Sequence, residues 1–221
     1  MSLKFGLLIQ GPFLSIGRGA GNYNLLPGKI GEIIEYDASR SVTRNIEKYS
    51  NIFNEIIIST WNDEKISDEF NNFLKNYKNV SLKAFEKEKS KTSLPSKVIE
   101  GFTVNNNQLL QYDGCYKGAS LFRDVDYVIR IRTDQEIDLE ELIKDCKKNP
   151  NKIIVPALYQ SNGYYAMDDF YFCGPTDKFL SFVKISRRCC SFPFFLFCFF
   201  LSSFFSPSLF CNIAYLVFFA F

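Results

Sequence analysis

The chain has 221 residues, enough for one domain of ordinary size, and a formal net charge of +2. It contains no histidine, which excludes imidazole metal ligands, a histidine general base and Ser–His–Asp or Cys–His mechanisms. Two of its 26 basic residues, Arg187 and Arg188, lie near the C-terminus. The remainder of the chain therefore balances its 24 acidic residues and does not indicate a nucleic-acid surface.

The sequence of residues 1–185 indicates a cytosolic protein. Its cysteines, Cys115, Cys146 and Cys173, are isolated in sequence and typical of reduced thiols. The first apolar run is too short for a signal peptide and is ended by Gly11 and Pro12.

The first half of the chain alternates apolar runs with amphipathic segments. The pattern predicts strand Phe5–Ile9, a glycine-rich loop, a small strand within Gly31–Tyr36, helix Ser41–Phe53 capped by Ser39 or Ser41, strand Glu55–Thr60 ending in Trp61, a helix marked by Ile66, Phe70, Phe73 and Tyr77, and strand Val80–Phe85. The glycines of Gly17–Gly21 resemble a phosphate loop only faintly, because neither a G-x-G-x-x-G pattern nor a Walker lysine is present. A hairpin is favoured there.

The second half continues the alternation. The predicted elements are a solvated charged loop over Glu86–Lys97, a helix from Asn105 to Phe122, strand Tyr127–Thr133, a helix capped by Asp138 and stopped by Pro150, strand Lys152–Pro156, a polar turn at Gln160–Tyr165, a strand within Asp168–Phe172 and a helix within Pro175–Ile185. Alternating strands and helices predict one three-layer α/β domain with a mixed or mostly parallel sheet, and with Tyr127–Thr133 inside the sheet.

The stretch from Asp124 to Asp138 carries the clearest signal for a chemical site. Because alternate side chains of a strand point to opposite faces, one face carries Asp126, Val128, Arg130, Arg132 and Asp134. Arg132 and Asp134 then lie at the carboxyl end of the strand, where ligands of α/β sheets commonly bind. They form either a chemical site, which we favour, or an Arg–Asp pair that only caps the strand.

Two other polar segments have alternative interpretations. Asn107 and Gln108, with their neighbouring asparagines, either cap the start of a helix or face a ligand there. The turn Gln160–Tyr165 is rich in tyrosine and amides and suits polar ligands such as sugars.

The segment Ser186–Phe221 has a different composition, with 12 of the chain's 24 phenylalanines and no helical or strand period. Its apolar runs between Pro193 and Pro207 are shorter than the roughly 20 residues of a spanning helix. It is a membrane-associated segment, a translation past a frameshift or a buried C-terminal element. We favour the frameshift, in which case residues 1–185 are the native domain, truncated at its C-terminus, and the tail packs poorly.

Five motifs occur in order: IIISTW at Ile56–Trp61, NNQ at Asn106–Gln108, YVIRIRTD at Tyr127–Asp134, IIVPALY at Ile153–Tyr159 and DDFYFCG at Asp168–Gly174. Together they resemble the WavE lipopolysaccharide-synthesis family of bacterial glycosyltransferase-like proteins. The resemblance runs from Phe5 to about Ile185. It implies a Rossmann-like, GT-A-like sheet flanked by helices, and transfer of a sugar from a nucleotide-sugar donor to a lipopolysaccharide or other surface-polysaccharide acceptor, which can be lipid-linked. It also implies a cytoplasmic location, at the inner face of the membrane if the tail makes contact there.

The resemblance and the chemistry together suggest roles for individual residues. A divalent cation, Mn²⁺ or Mg²⁺, on Asp134 and the guanidinium of Arg132 would neutralise the diphosphate leaving group. Asp169 or Asp168 would be the general base of an inverting transfer. The nucleotide-sugar pocket would be lined by Gln10, Gly11, Pro12, Thr60, Trp61, Asn107, Gln108 and Arg132. We expect Arg132, Asp134 and Asp169 to converge on one cleft with the Gln10–Pro12 turn.

Two other classes of function fit the sequence. The domain could bind a nucleotide sugar or glycan without turnover, or the chain could be a membrane-anchored structural protein, for which only the tail argues.

Overall fold

A computed structural model describes residues 2–18, 33–87, 97–99, 102–104, 106–156, 158–161, 164–167 and 171–191. Side chains are described over residues 2–14, 36–87, 110–156 and 171–184. The strands are β1 (Phe5–Gln10), β2 (Leu14–Arg18), β3 (Ile33–Asp37), β4 (Glu55–Trp61), β5 (Val80–Phe85), β6 (Lys97–Ile99), β7 (Phe102–Val104), β8 (Tyr127–Arg132), β9 (Leu158–Ser161), β10 (Tyr164–Met167) and β11 (Tyr171–Pro175). The helices are α1 (Ser39–Tyr49), α2 (Asp68–Leu74), α3 (Asn106–Ala119), α4 (Leu139–Lys148) and α5 (Thr176–Ser191).

Five strands form the central sheet in the order β11-β8-β1-β4-β5. The pairs β8–β1, β1–β4 and β4–β5 are parallel, and β11 is antiparallel to β8. The remaining described strands form the antiparallel pairs β2–β3, β6–β7 and β9–β10. The α/β class, the mostly parallel sheet and the internal position of β8 are therefore confirmed.

One side of the sheet, here named the apolar face, carries Leu7, Ile9, Ile58, Ile129 and Ile131, all 0% exposed. Helices α1, α2 and α4 cover this face with the apolar residues that recur at helical spacing in their sequences. Full burial of each such side chain contributes about 1.5–3 kcal/mol relative to exposure, so this face supplies much of the stability.

The other side of the sheet, here named the arginine face, carries Leu8, Ile57 and Val128. Helices α3 and α5 cover these residues. Two glycines let α3 lie close to the strands. A Cβ on Gly118 would lie 2.7 Å from Leu8 Cδ1 and 2.8 Å from Ser59 Cβ. A Cβ on Gly114 would lie 3.2 Å from Gln10 Nε2 and 3.3 Å from Trp61 Cζ2.

Some local predictions are wrong. Helix α1 begins at Ser39 after Ala38, without a side-chain cap, and Ser41 lies inside it with its hydroxyl bonded to Tyr36. The segment Lys152–Pro156 is not a strand, because only Ile154 pairs, as a single bridge to Cys173. The charged loop was predicted to include Lys97, but strand β6 begins at that residue and pairs with β7.

Helix α5 continues past Ile185 to Ser191, and residues 192–221 lie outside the described part of the chain. The predicted poor packing of the tail and the division at residue 185 therefore stay predictions. Over the residues that the structure describes, no helix has both the length and the hydropathy needed to cross a bilayer.

Candidate functional site

Strands β4, β1 and β8 end at the same edge of the sheet because they are neighbours and parallel. Gln10, the last residue of β1, is in register with Ser59 on one side and with Arg132 on the other. Trp61 follows at the end of β4. Four residues of the predicted nucleotide pocket, Gln10, Gly11, Trp61 and Arg132, therefore lie along one sheet edge, where α/β proteins commonly bind ligands.

The turn after β1 rests against the end of β8. Gly11 has a φ of 150°, which L side chains rarely adopt, and a Cβ there would lie 2.7 Å from Thr133 Oγ1. Its amide donates to the Ser59 carbonyl at 3.1 Å, and Thr133 Oγ1 donates to the Pro12 carbonyl at 2.7 Å. Asp134 is the next residue, so the structure brings it close to the Gln10–Pro12 turn.

A carboxylate fastens the loop after β4 to this turn. Glu64 Oε2 accepts hydrogen bonds from the amides of Phe13 at 3.1 Å and Leu14 at 3.4 Å. Two successive backbone N–H groups that converge on one oxygen form a small anion-binding concavity. Here the protein's own carboxylate fills it.

Arg132 and Asp134 form a bidentate ion pair. Arg132 Nε donates to Asp134 Oδ1 at 2.9 Å, and Nη2 donates to Oδ2 at 2.6 Å. The arginine side chain is 33% exposed and the aspartate side chain 13% exposed. This geometry fixes the plane and direction of the guanidinium, since the two parallel bonds allow only one relative orientation.

Helix α1 holds the loop that carries Asp134. Asn45 Nδ2 donates to the Gln135 carbonyl at 2.7 Å, and Tyr49 Oη donates to the Ile137 carbonyl at 3.0 Å. An exposed ion pair between Arg44 and Glu136, at 3.0 Å, lies beside them. The loop is therefore anchored from the apolar side of the sheet, which gives the Arg132–Asp134 pair a rigid support.

Arg130 is a fully buried arginine at the centre of the arginine face. Its Nη2 donates to Gln10 Oε1 at 2.7 Å, and its guanidinium carbon lies 4.9 Å from the centroid of the Phe172 ring. The bond turns the amide nitrogen of Gln10 toward Gly114 on α3. The alternation along β8 placed Arg130 on this face, but sequence reasoning did not assign it a role.

Helix α3 contributes an ion pair that sequence reasoning missed. Asp113 is 0% exposed, and Lys117 Nζ lies 2.8 Å from its Oδ2. Lys117 Nζ also donates to the Glu86 carbonyl at 3.1 Å and lies 5.8 Å from the centroid of the Trp61 ring. The spacing of four residues between Asp113 and Lys117 is the only signal for this pair in the sequence, and such pairs are common on solvated helices.

The structure describes the remaining predicted site residues to different extents. Thr60 alternates with Trp61 along β4 and therefore lies on the apolar face with Ile58. Its buried hydroxyl has no hydrogen-bond partner in the described part of the chain. Asn107 and Gln108 lie in the first turn of α3, where the structure describes only the backbone. Asp168 and Asp169 fall outside the described residues, so the structure does not test whether they join the cleft.

The described residues do not fit the expected Mn²⁺ or Mg²⁺ site at Asp134. Both of its carboxylate oxygens already accept hydrogen bonds from Arg132. No group of three His, Cys, Asp or Glu side chains placed to hold a metal occurs within the described ranges. A hard divalent cation prefers several oxygen ligands, and here it would find one carboxylate whose two oxygens already face a positive guanidinium.

No family model matches the chain, and no curated protein matches it. The resemblance to the WavE family therefore depends on the five sequence motifs.

Proposed function

We propose that the chain is a glycosyltransferase of GT-A-like architecture, similar to the WavE family. It would move a sugar from a nucleotide-sugar donor to a lipopolysaccharide or other surface-polysaccharide acceptor at the cytoplasmic side of the membrane. The observation that carries the proposal is the polar edge of the sheet, where Gln10, Trp61 and Arg132 lie together at the carboxyl ends of three parallel strands. A nucleotide and its phosphates fit this kind of crevice.

The chemistry assigns a simple task to each group. In an inverting transfer the bond between the anomeric carbon and the diphosphate oxygen breaks, and a bond to the acceptor oxygen forms. The acceptor hydroxyl loses its proton to a carboxylate, for which Asp169 and Asp168 are the candidates. The diphosphate departs with additional negative charge, which the guanidinium of Arg132 stabilises.

The second candidate is a domain that binds a nucleotide sugar or glycan without turnover. It would use the same strand-end residues, Gln10, Trp61 and Arg132, and it needs no general base. The two candidates share the binding site and differ only in the transfer step.

Donor turnover separates the two candidates. The full chain is incubated with a panel of nucleotide sugars, and release of the nucleoside diphosphate is measured with and without added oligosaccharide acceptors. The transferase proposal expects turnover of one donor that falls by about 100-fold or more in Asp169→Asn or Asp168→Asn, because a general base contributes 10²–10⁴-fold. Arg44→Gln, an exposed arginine on α1, is the matched control and should keep full activity. Binding of a donor without turnover would favour the binding domain, and absence of binding to every donor would contradict both.

A further inference from the structure

We propose that Arg132 is the group that meets the ligand's diphosphate, that Asp134 is a positioning residue for Arg132, and that binding needs no divalent cation. The inference rests on the proposed nucleotide-sugar site and departs from the cation expected on Asp134.

The first argument is that Arg132 engages both oxygens of Asp134. Its two oxygens accept from Arg132 at 2.9 and 2.6 Å, and its side chain is only 13% exposed. A charge-assisted bidentate pair is roughly twice as strong as a pair of neutral hydrogen bonds. A cation at Asp134 would be repelled by the guanidinium that lies against both oxygens, while it gains a single carboxylate from the described residues. The same contact explains why an aspartate lies beside an arginine here: it orients the guanidinium.

The second argument is that Arg132 is the basic side chain best placed for an anion at this edge. Arg130 is 0% exposed and already donates to Gln10, so a ligand does not reach it. Lys117 is 25% exposed, and its ammonium contacts Asp113 and the Glu86 carbonyl. Arg132 is 33% exposed and ends strand β8, beside the central strand β1. Its planar guanidinium matches phosphate oxygens in the way that it matches a carboxylate.

The third argument concerns the stiffness of the pair. Residues 133–138 are tied to α1 through Asn45 and Tyr49, and Thr133 is bonded to the Pro12 carbonyl. A guanidinium held from behind by a carboxylate loses little conformational entropy when it binds phosphate, which raises affinity. The structure therefore supplies an anion site in which the protein itself has fixed the positive charge.

The test is calorimetric titration of the full chain with UDP, GDP, CDP and ADP, first in EDTA and then in Mg²⁺ or Mn²⁺. We expect one nucleoside diphosphate to bind with the same Kd, within about twofold, in all three solutions. Arg132→Gln should weaken binding by about tenfold or more, because a hydrogen bond to a charged group is lost. Asp134→Asn keeps one acceptor oxygen, so it should weaken binding only a few-fold and leave it independent of cations. Arg44→Gln again serves as the control, since Arg44 forms a single, exposed ion pair with Glu136 outside the strand.

The outcomes are distinguishable. Binding that requires Mn²⁺ or Mg²⁺ and is abolished in Asp134→Asn would overturn the inference and leave the proposed function intact. Failure of all four nucleotides to bind, with or without cation, would overturn the proposed function and the inference with it. The cation dependence of the unmodified chain decides the point even where a variant fails to fold. Circular dichroism and urea unfolding check the folding of each variant.

Discussion

The two faces of strand β8 have contrasting surroundings, although their side chains alternate along six residues. Tyr127, Ile129 and Ile131 pack into an apolar core beneath α1 and α4. On the opposite face Val128 is followed by the buried Arg130 and then by Arg132. One strand thus supplies a continuous hydrophobic row and a row that becomes fully charged toward its carboxyl end.

The contrast separates the residues that hold the fold from those available for function. Other hydrophobic residues of similar volume could pack on the apolar face equally well. A buried guanidinium is costly unless it is hydrogen-bonded, and Arg130 obtains part of this compensation from Gln10 and the Phe172 ring. Residues that break a local rule of folding are expected at functional sites, and on β8 these residues lie on the arginine face.

The strongest test of the contrast replaces neighbouring residues on opposite faces. Arg130→Ala should lower the free energy of unfolding by about 3 kcal/mol or more, because it leaves a cavity and removes the donor to the buried oxygen of Gln10. Ile129→Val should cost only about 1 kcal/mol. Urea unfolding followed by the fluorescence of Trp61, the single tryptophan, measures both. A loss in Arg130→Ala no larger than in Ile129→Val would mean that the arginine is not a buried structural group.

The second test concerns the close contact of α3 with the arginine face. Gly118→Ala should cost about 2 kcal/mol, because the new methyl group would meet Leu8 and Ser59 at less than 3.0 Å. Gly114→Ala is the matched variant on the same helix. Its Cβ would lie 3.2 Å from the end of the flexible Gln10 side chain, so the cost should be below about 1 kcal/mol. Equal gains of stability in the two variants would show that the higher helix propensity of alanine, not contact with the sheet, decides the effect.

Much of the fold could be predicted from sequence because its inner strands are buried on both faces. Such strands give continuous apolar runs, and the inner strands β1, β4 and β8 were placed to within one residue. The start of α1 was misplaced because Ser39 and Ser41 are both good cap residues, whereas the serine hydroxyl at position 41 bonds Tyr36 instead. Sequence alone does not reveal that competing contact.

The site was less predictable than the fold. Strand ends indicated Gln10, Trp61, Arg132 and Asp134, since polar residues after apolar runs have few structural explanations. Asp113 and Lys117 gave no such signal, because their roles depend on how α3 lies against β4. The pairing of Arg132 with Asp134 was predicted as the alternative to a chemical site, and the structure confirms the pair, which holds a partly exposed guanidinium. The chemical site stays a prediction.

The smallest effect at neutral pH, and the most specific to the arginine face, concerns the Cys115 thiol on α3. Burial raises its pKa from the ordinary value of 9.0 to about 12, and the positive charge of Arg130 opposes this shift. The unfolded thiol ionises near pH 9 and the folded thiol does not, so this group stabilises the fold below pH 9 and loses that contribution as pH rises toward 12.

Cys115→Ala should cost about 1 kcal/mol at pH 7, from the buried sulfur alone. The difference between the unmodified chain and Cys115→Ala, followed by urea unfolding from pH 7 to 11, should stay constant up to pH 9 and then shrink. A difference that stays constant to pH 11 would mean that the folded thiol ionises like an exposed one, and that water reaches the arginine face beside Arg130.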